Sequence, residues 1–173
     1  LPAEFSDKEV RAQKAAFEAD LALAEEGDAE AQARLAVAYY NGRGTPLDQE
    51  EGIRWARIAA EQENVRAQAL VAAAHFNGMG APQDHEEGVR WARLAAERGD
   101  AGAQVLLGMG YVNGFGVVRD YITAYMWLTR AASGSGSNIQ GADQLHSLAA
   151  MRMTSEQIEE AEQRAQNWEG SPE

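Results

Sequence analysis

Histidine is the side chain best suited to acid–base chemistry or metal binding near neutral pH, and the sequence contains three. They are His75, His85 and His146, and none stands at metal-ligand spacing or in a His-Glu-x-x-His segment. We therefore expect His75 to be a packed, hydrogen-bonded core or turn residue, and we expect no metal site.

Paired carboxylates, which general acid–base catalysis often uses, occur at Glu50-Glu51 and Glu86-Glu87. Arg54 and Arg90 follow three or four residues later, at the spacing of surface ion pairs on a helix. These pairs therefore indicate solvent-exposed helix faces.

Three Gly-x-Gly pairs resemble phosphate-binding loops, but a dinucleotide fingerprint needs a preceding strand and a third glycine that opens a helix. Here a helical pattern precedes each pair. The serines between 133 and 137 lack a Gly-x-Ser-x-Gly elbow, and there is no cysteine. We expect no cofactor and no catalytic residue, so the sequence favours a protein that is not an enzyme; a hydrolase is the enzyme alternative.

The formal net charge is −12, from 15 basic and 27 acidic residues. A nucleic-acid binder needs a basic face to neutralise phosphates, so this class is disfavoured. No run of 18 apolar residues occurs, and no integral membrane segment is expected.

The dominant feature is an internal repeat of 36 residues. Shifting the sequence by this period aligns three copies of Asn-Gly-x-Gly without a gap. The same shift aligns a tryptophan, an aspartate, an Ala-Gln pair and an Ala-Ala pair. The aligned tryptophans and aspartates are Trp55, Trp91, Trp127, Asp48, Asp84 and Asp120.

Each unit has the pattern of two helices. The first spans about 28–41 in the first unit and ends at Asn-Gly, which can take the left-handed conformation that closes a helix. The recurring aspartate is the expected N-cap of the second helix, at about 49–62. Its tryptophan is expected to fill the gap to a neighbouring helix, while Trp168 lies outside the repeat and could be exposed.

The flanking segments are predicted to be caps, giving about nine helices and no strands in one repeat domain, 1–173. Ser6 with Glu9, and Thr154 with Gln157, form capping boxes, and Phe5 can pack on Val10. The predicted parts are an N-terminal capping helix at 5–26, full repeats at 27–62, 63–98 and 99–134, and a partial repeat with a C-terminal capping helix at 135–173.

The pattern Ala-x-x-x-Leu-(Ala/Gly)-x-x-Tyr-x-x-Gly-x-Gly, followed by Asp, Trp and Ala-Ala, resembles the Sel-1-like repeat, a relative of the tetratricopeptide repeat. The third copy matches best, from Ala103 through Trp127 to Ala132. The sequence departs from the pattern at Gly52 and Gly88, which replace alanine and suggest locally weakened packing. His75 also replaces the tyrosine.

The resemblance implies an all-α, right-handed superhelical α/α solenoid. It also implies a non-catalytic adaptor for a protein or peptide partner, used in signalling or in assembling complexes. A structural component of a larger envelope complex is the remaining alternative. A monomer is expected, and a periplasmic or secreted location is favoured over the cytoplasm, partly because the chain starts at Leu1 rather than Met.

In tetratricopeptide-like superhelices the first helices line the concave face, so the resemblance implies a binding groove there. Residues of the first helices that vary between units, with a constant asparagine, are the candidate partner-binding set. They are Val37, Tyr40, Asn41, Ala73, Phe76, Asn77, Met109, Val112 and Asn113. The alternative is that the aromatic side chains pack within the stack and the asparagines only cap helix ends.

Overall fold

The computed structural model describes residues 6–134 and 141–168. Within these ranges the chain forms nine α-helices and no β-strand, which confirms the predicted all-α solenoid. The helices are α1 (Asp7–Glu25), α2 (Ala29–Asn41), α3 (Gln49–Glu61), α4 (Val65–Asn77), α5 (His85–Glu97), α6 (Ala101–Asn113), α7 (Tyr121–Ser133), α8 (Ala142–Ala150) and α9 (Ser155–Gln166). The first helices of the three full units are α2, α4 and α6, and the second helices are α3, α5 and α7.

The predicted helix signals are confirmed on both sides of the loop that joins the two helices of each hairpin. Every first helix ends at a glycine in the left-handed region, where a side chain would strain the backbone. These glycines are Gly42, Gly78 and Gly114, with φ of 67°, 67° and 75°. Every second helix begins at an aspartate whose carboxylate accepts hydrogen bonds from free backbone N–H groups. The aspartates are Asp48, Asp84 and Asp120.

The stack curves toward its first helices. Each hairpin packs its two helices against each other, and each second helix packs on the first helix of the following unit. Consecutive first helices also contact one another, whereas α3 and α5, or α5 and α7, stand further apart. The first helices therefore form the inner, concave side, and the second helices form the outer side.

Three buried glutamines join successive units. Gln32, Gln68 and Gln104 are each 3% exposed. Their Nε2 groups donate hydrogen bonds to a backbone carbonyl near the end of the preceding helix, those of Ala24, Ala60 and Ala96. A buried carbonyl without a partner is costly, so this bond explains why the Ala-Gln pair recurs with the repeat.

Gly52 and Gly88 strengthen the fit of their hairpins, and the expectation that they weaken packing is wrong. A Cβ at Gly52 would lie 2.9 Å from the backbone N of Tyr40, and one at Gly88 would lie 3.0 Å from the ring of Phe76. In the third unit the corresponding pair is Ala124 with the smaller Val112. The missing side chain at Gly88 therefore leaves room for the ring of Phe76, whereas the one at Gly52 lets α3 approach the backbone of α2.

Both capping boxes are confirmed, at Ser6 with Glu9 and at Thr154 with Gln157. Phe5 lies outside the described residues, as do the serines at 135 and 137. The helix α9 packs directly against α7. In the described chain, α3 and α5, or α5 and α7, make far less contact with each other. None of the helices in the described ranges has the length and apolar character needed to cross a membrane.

Candidate protein-binding surface

A partly exposed row of apolar side chains follows the inner face of the first helices. Val37, Ala73 and Met109 occupy the same position in successive units, and each is half-buried. Leu70 and Leu106 lie three residues earlier, one helical turn away, and are also half-buried. The row is long enough to span three units and remains partly accessible to solvent along its length.

The aromatic candidates lie deeper than the rest of the set. Phe76 and Val112 are each 3% exposed, so little of either side chain can reach a partner. Tyr40 is half-buried, and burial raises the pKa of its hydroxyl above the ordinary range. Phe76 and Val112 therefore pack within their hairpins, which is the alternative that the sequence left open.

The asparagines form one edge of the row, where the first helices end. Asn41 and Asn113 donate from Nδ2 to the carbonyls of Val37 and Met109, at 3.0 and 2.9 Å, so both stabilise the last turn of their own helix. These bonds do not use the amide oxygen or the second N–H of each side chain. Asn77 is exposed at the same position.

A cluster of charged groups forms the other edge, near the start of the first helices. Glu30 accepts a hydrogen bond from Asn64 at 2.9 Å and lies 3.4 Å from the guanidinium of Arg66 and 3.9 Å from that of Arg34. Arg34 in turn binds Asp20 of α1 at 2.7 Å. Sequence reasoning missed this edge and the two leucines, although their helical spacing from position 73 or 109 was a usable signal.

His75 is packed and hydrogen-bonded, as predicted. It is 4% exposed, with Nδ1 lying 3.1 Å from the carbonyl oxygen of Pro82 and Nε2 lying 2.6 Å from the guanidinium of Arg57. Because a carbonyl only accepts and a guanidinium only donates, the ring carries its proton on Nδ1. Arg93 and Tyr111 form the equivalent contact one unit later, at 3.1 Å. His75 therefore replaces tyrosine in a contact that joins units.

The acidic pairs form the predicted ion pairs, but Glu51 and Glu87 themselves are only 25% and 22% exposed, and Glu87 also accepts a hydrogen bond from Nε1 of Trp91. Glu51 binds Arg54 at 2.6 Å, and Glu87 binds Arg90 at 2.9 Å, each three residues apart on one helix. Both arginine side chains are largely exposed. In the part of the chain that the structure describes, no three His, Asp or Glu side chains are grouped so that they could hold a metal ion.

His146 belongs to α8 and packs against α7, close to Glu162 of α9. Its ring centroid lies 4.0 Å from that of Tyr125, and Nε2 is 3.1 Å from the hydroxyl of Thr129. Burial lowers the pKa of His146 below 6.5, while the nearby carboxylates of Asp143 and Glu162 partly oppose this shift.

We expect the folded protein to lose stability through His146 as the pH falls. A depressed folded-state pKa means that the unfolded chain takes up the proton first, so the contribution is complete above pH 6.5 and is lost as the pH falls through the folded-state pKa. His146→Gln, which stays neutral, should show a smaller drop in melting temperature between pH 7.5 and pH 5. Identical drops in the two proteins would contradict the assignment.

Trp168 is packed, contrary to the expectation that it could be exposed. Its ring meets that of Trp127 edge to face, with centroids 4.7 Å apart, and the guanidinium of Arg130 lies 5.3 Å from its centre. Trp127 is 4% exposed as a result, while Trp55 and Trp91 are half-buried.

Comparison with known proteins identifies the repeat. The model of the Sel1 repeat family matches residues 29–64, 65–100 and 101–135, which is more than half of the chain. A search of curated proteins found no match.

Two solved structures share the fold. One is c5321, a protective antigen present in uropathogenic Escherichia coli strains, which displays an SLR fold; the TM-score is 0.78 at 32% identity, over 87% of this chain and 32% of the antigen. The other is a Sel1 repeat protein from Oxalobacter formigenes, with a TM-score of 0.63 at 33% identity, over 75% of this chain and 96% of that protein. This chain thus spans about a third of the antigen's length. With its three matched repeats, the chain belongs to the Sel1 repeat family.

Proposed function

We propose that this chain is an adaptor that binds a segment of a partner protein along the concave face of its superhelix. Sel1 repeat proteins are generally protein-interaction scaffolds, and their fold is typically non-catalytic. Two points are specific to this proposal: the partner segment lies on the concave face, and it is bound in an extended form.

The continuous inner row carries the proposal. An extended peptide presents side chains on one side and backbone N–H and C=O groups along its length. The apolar row of Val37, Ala73 and Met109 suits the side chains, and the unused amide atoms of Asn41 and Asn113 suit the backbone. Because the row repeats once per unit, each unit would hold a short stretch of the same segment.

The proposal is tested by capturing partners from lysate of the native host with wild-type and variant protein. Ala73→Glu combined with Met109→Glu places two carboxylates in the row at half-buried positions. Glutamate is a good helix former, so both helices should be kept. We expect the partner recovered with wild-type protein to fall at least tenfold with this double variant, because a buried unpaired charge opposes binding.

The matched control is Val118→Glu, which adds a carboxylate at a loop side chain that is 88% exposed and does not belong to a first helix. It should capture the partner as wild-type protein does. Circular dichroism must show that all variants remain helical. Equal capture by the double variant and the control would disprove binding at the concave face.

A further inference from the structure

The outer side of the stack contains a hollow on α5, which we call the α5 hollow. It has a volume of about 610 Å³ and lies between α5 and the loop that precedes α7. Val89, Trp91 and Leu94 line it from the helix, and Val117 lines it from the loop. The charged side chains of Glu86, Arg90, Arg93 and Glu97 surround this apolar floor. Leu94 is 44% exposed, so its side chain is accessible to a partner.

The same three positions one unit later are covered by the chain itself. They are Tyr125, Trp127 and Arg130, and α9 lies across them. The hydroxyl of Tyr125 donates to Glu162 at 3.4 Å, and Arg130 donates to the carbonyl of Ala165 at 3.2 Å.

The contact face of α9 shows what kind of helix this surface accepts. Its buried residues are Ala161 and Ala165, four residues apart, and Trp168 follows at its end and packs on Trp127. Glu159 and Glu160 lie on its exposed side. Small side chains allow close approach of the helix, while Ile158 near its start and Trp168 at its end supply large apolar contacts with the core.

We propose that the α5 hollow binds an amphipathic helix of a partner protein, with small residues along its contact stripe and an aromatic residue at its end, as α7 binds α9. Leu94 stands where Arg130 stands in the third unit, so the partner's aromatic ring meets an apolar side chain instead of a guanidinium. The α5 hollow lies on the second helices, and the inner row lies on the first. The two proposals therefore stand or fall separately.

A peptide of residues 152–168, acetylated and amidated, is the probe, and it is titrated into isotopically labelled full-length protein. We expect NMR shifts of backbone amides around Val89, Trp91, Leu94 and Val117. Leu94→Asp should weaken this binding at least fivefold, because it places a carboxylate on the apolar floor beside Trp91 and faces an acidic peptide. A peptide carrying Trp168→Ala should bind more weakly by a similar factor.

Ile58→Asp is the matched control, because Ile58 holds the equivalent position one unit earlier, is 40% exposed and does not line the hollow. It should bind the peptide as wild-type protein does. The proposal is overturned by an absence of shifts on α5 at millimolar peptide, by shifts on α7 alone, or by equal affinity of the Leu94→Asp protein. A concentration-dependent dimer that Leu94→Asp abolishes would also overturn it, by assigning the hollow to a second copy of the chain.

Discussion

Gly116→Ala is expected to destabilise the stack by ~2–5 kcal/mol, from a forced contact that overpacks the interior plus the cost of a left-handed alanine. Gly116 has φ of 70°, and a Cβ there would lie 2.2 Å from the carbonyl oxygen of His85 and 2.4 Å from its carbonyl carbon. Both atoms belong to backbone at the start of α5, so no side-chain rotation relieves the overlap. The third unit would have to move away from the second.

Gly114→Ala separates the two causes. Gly114 has φ of 75°, but the nearest atom to its Cβ would be the carbonyl oxygen of Val117, at 3.7 Å. It should therefore show only the conformational cost of ~1–2 kcal/mol. Urea unfolding followed by circular dichroism gives the two free energies. Equal losses for the two variants would show that close approach between units does not limit position 116.

The repeat architecture was predictable because its signals are local and occur three times. An N-cap aspartate such as Asp84 or a left-handed glycine such as Gly78 acts on backbone groups within a few residues. The 36-residue period then places each hairpin against the next, and no long-range inference is needed. In the sequence, Gly116 is recognisable only as the second glycine of a recurring Asn-Gly-x-Gly stretch. Its contact with His85 depends on how units stack.

The candidate site was less predictable because it depends on distances across the hairpin. Variation between units marked Phe76 and Val112 as groove residues, but the same variation arises from matched volumes inside each hairpin. Gly88 compensates for Phe76 over twelve residues of sequence, and one sequence cannot show which pairs compensate. The closing tryptophan, Trp168, was misjudged for a related reason, since its partner Trp127 lies in another unit.

A second compensation joins Gly108 of α6 to Leu128 of α7. In the first two units the corresponding pairs are both alanine: Ala36 with Ala56, and Ala72 with Ala92. A Cβ added at Gly108 would lie 2.5 Å from Cγ of Leu128, which is only 1% exposed and enclosed on all sides. The third unit therefore places one leucine against a glycine at this contact, where each of the other units places one methyl group on each helix.

Leu128→Ala is expected to destabilise the protein by ~2–5 kcal/mol, since it removes a fully buried side chain and leaves a cavity. Gly108→Ala alone should destabilise by ~1–3 kcal/mol through overpacking, reduced by ~1 kcal/mol because alanine favours the helix. Urea unfolding at fixed pH measures both, and the m-values show whether the denatured state has changed.

The two substitutions together should recreate the Ala–Ala contact of the first and second units, so the effect of Gly108→Ala should change sign. In the Leu128→Ala background the added methyl group meets no leucine, partly fills the cavity and improves helix propensity, and we expect a gain of ~1 kcal/mol. Additive losses in the double variant would mean that the backbone of α6 or α7 relaxes around the clash. In that case the hairpin would tolerate volume changes at this contact, and the matched pairs would not be under a packing constraint.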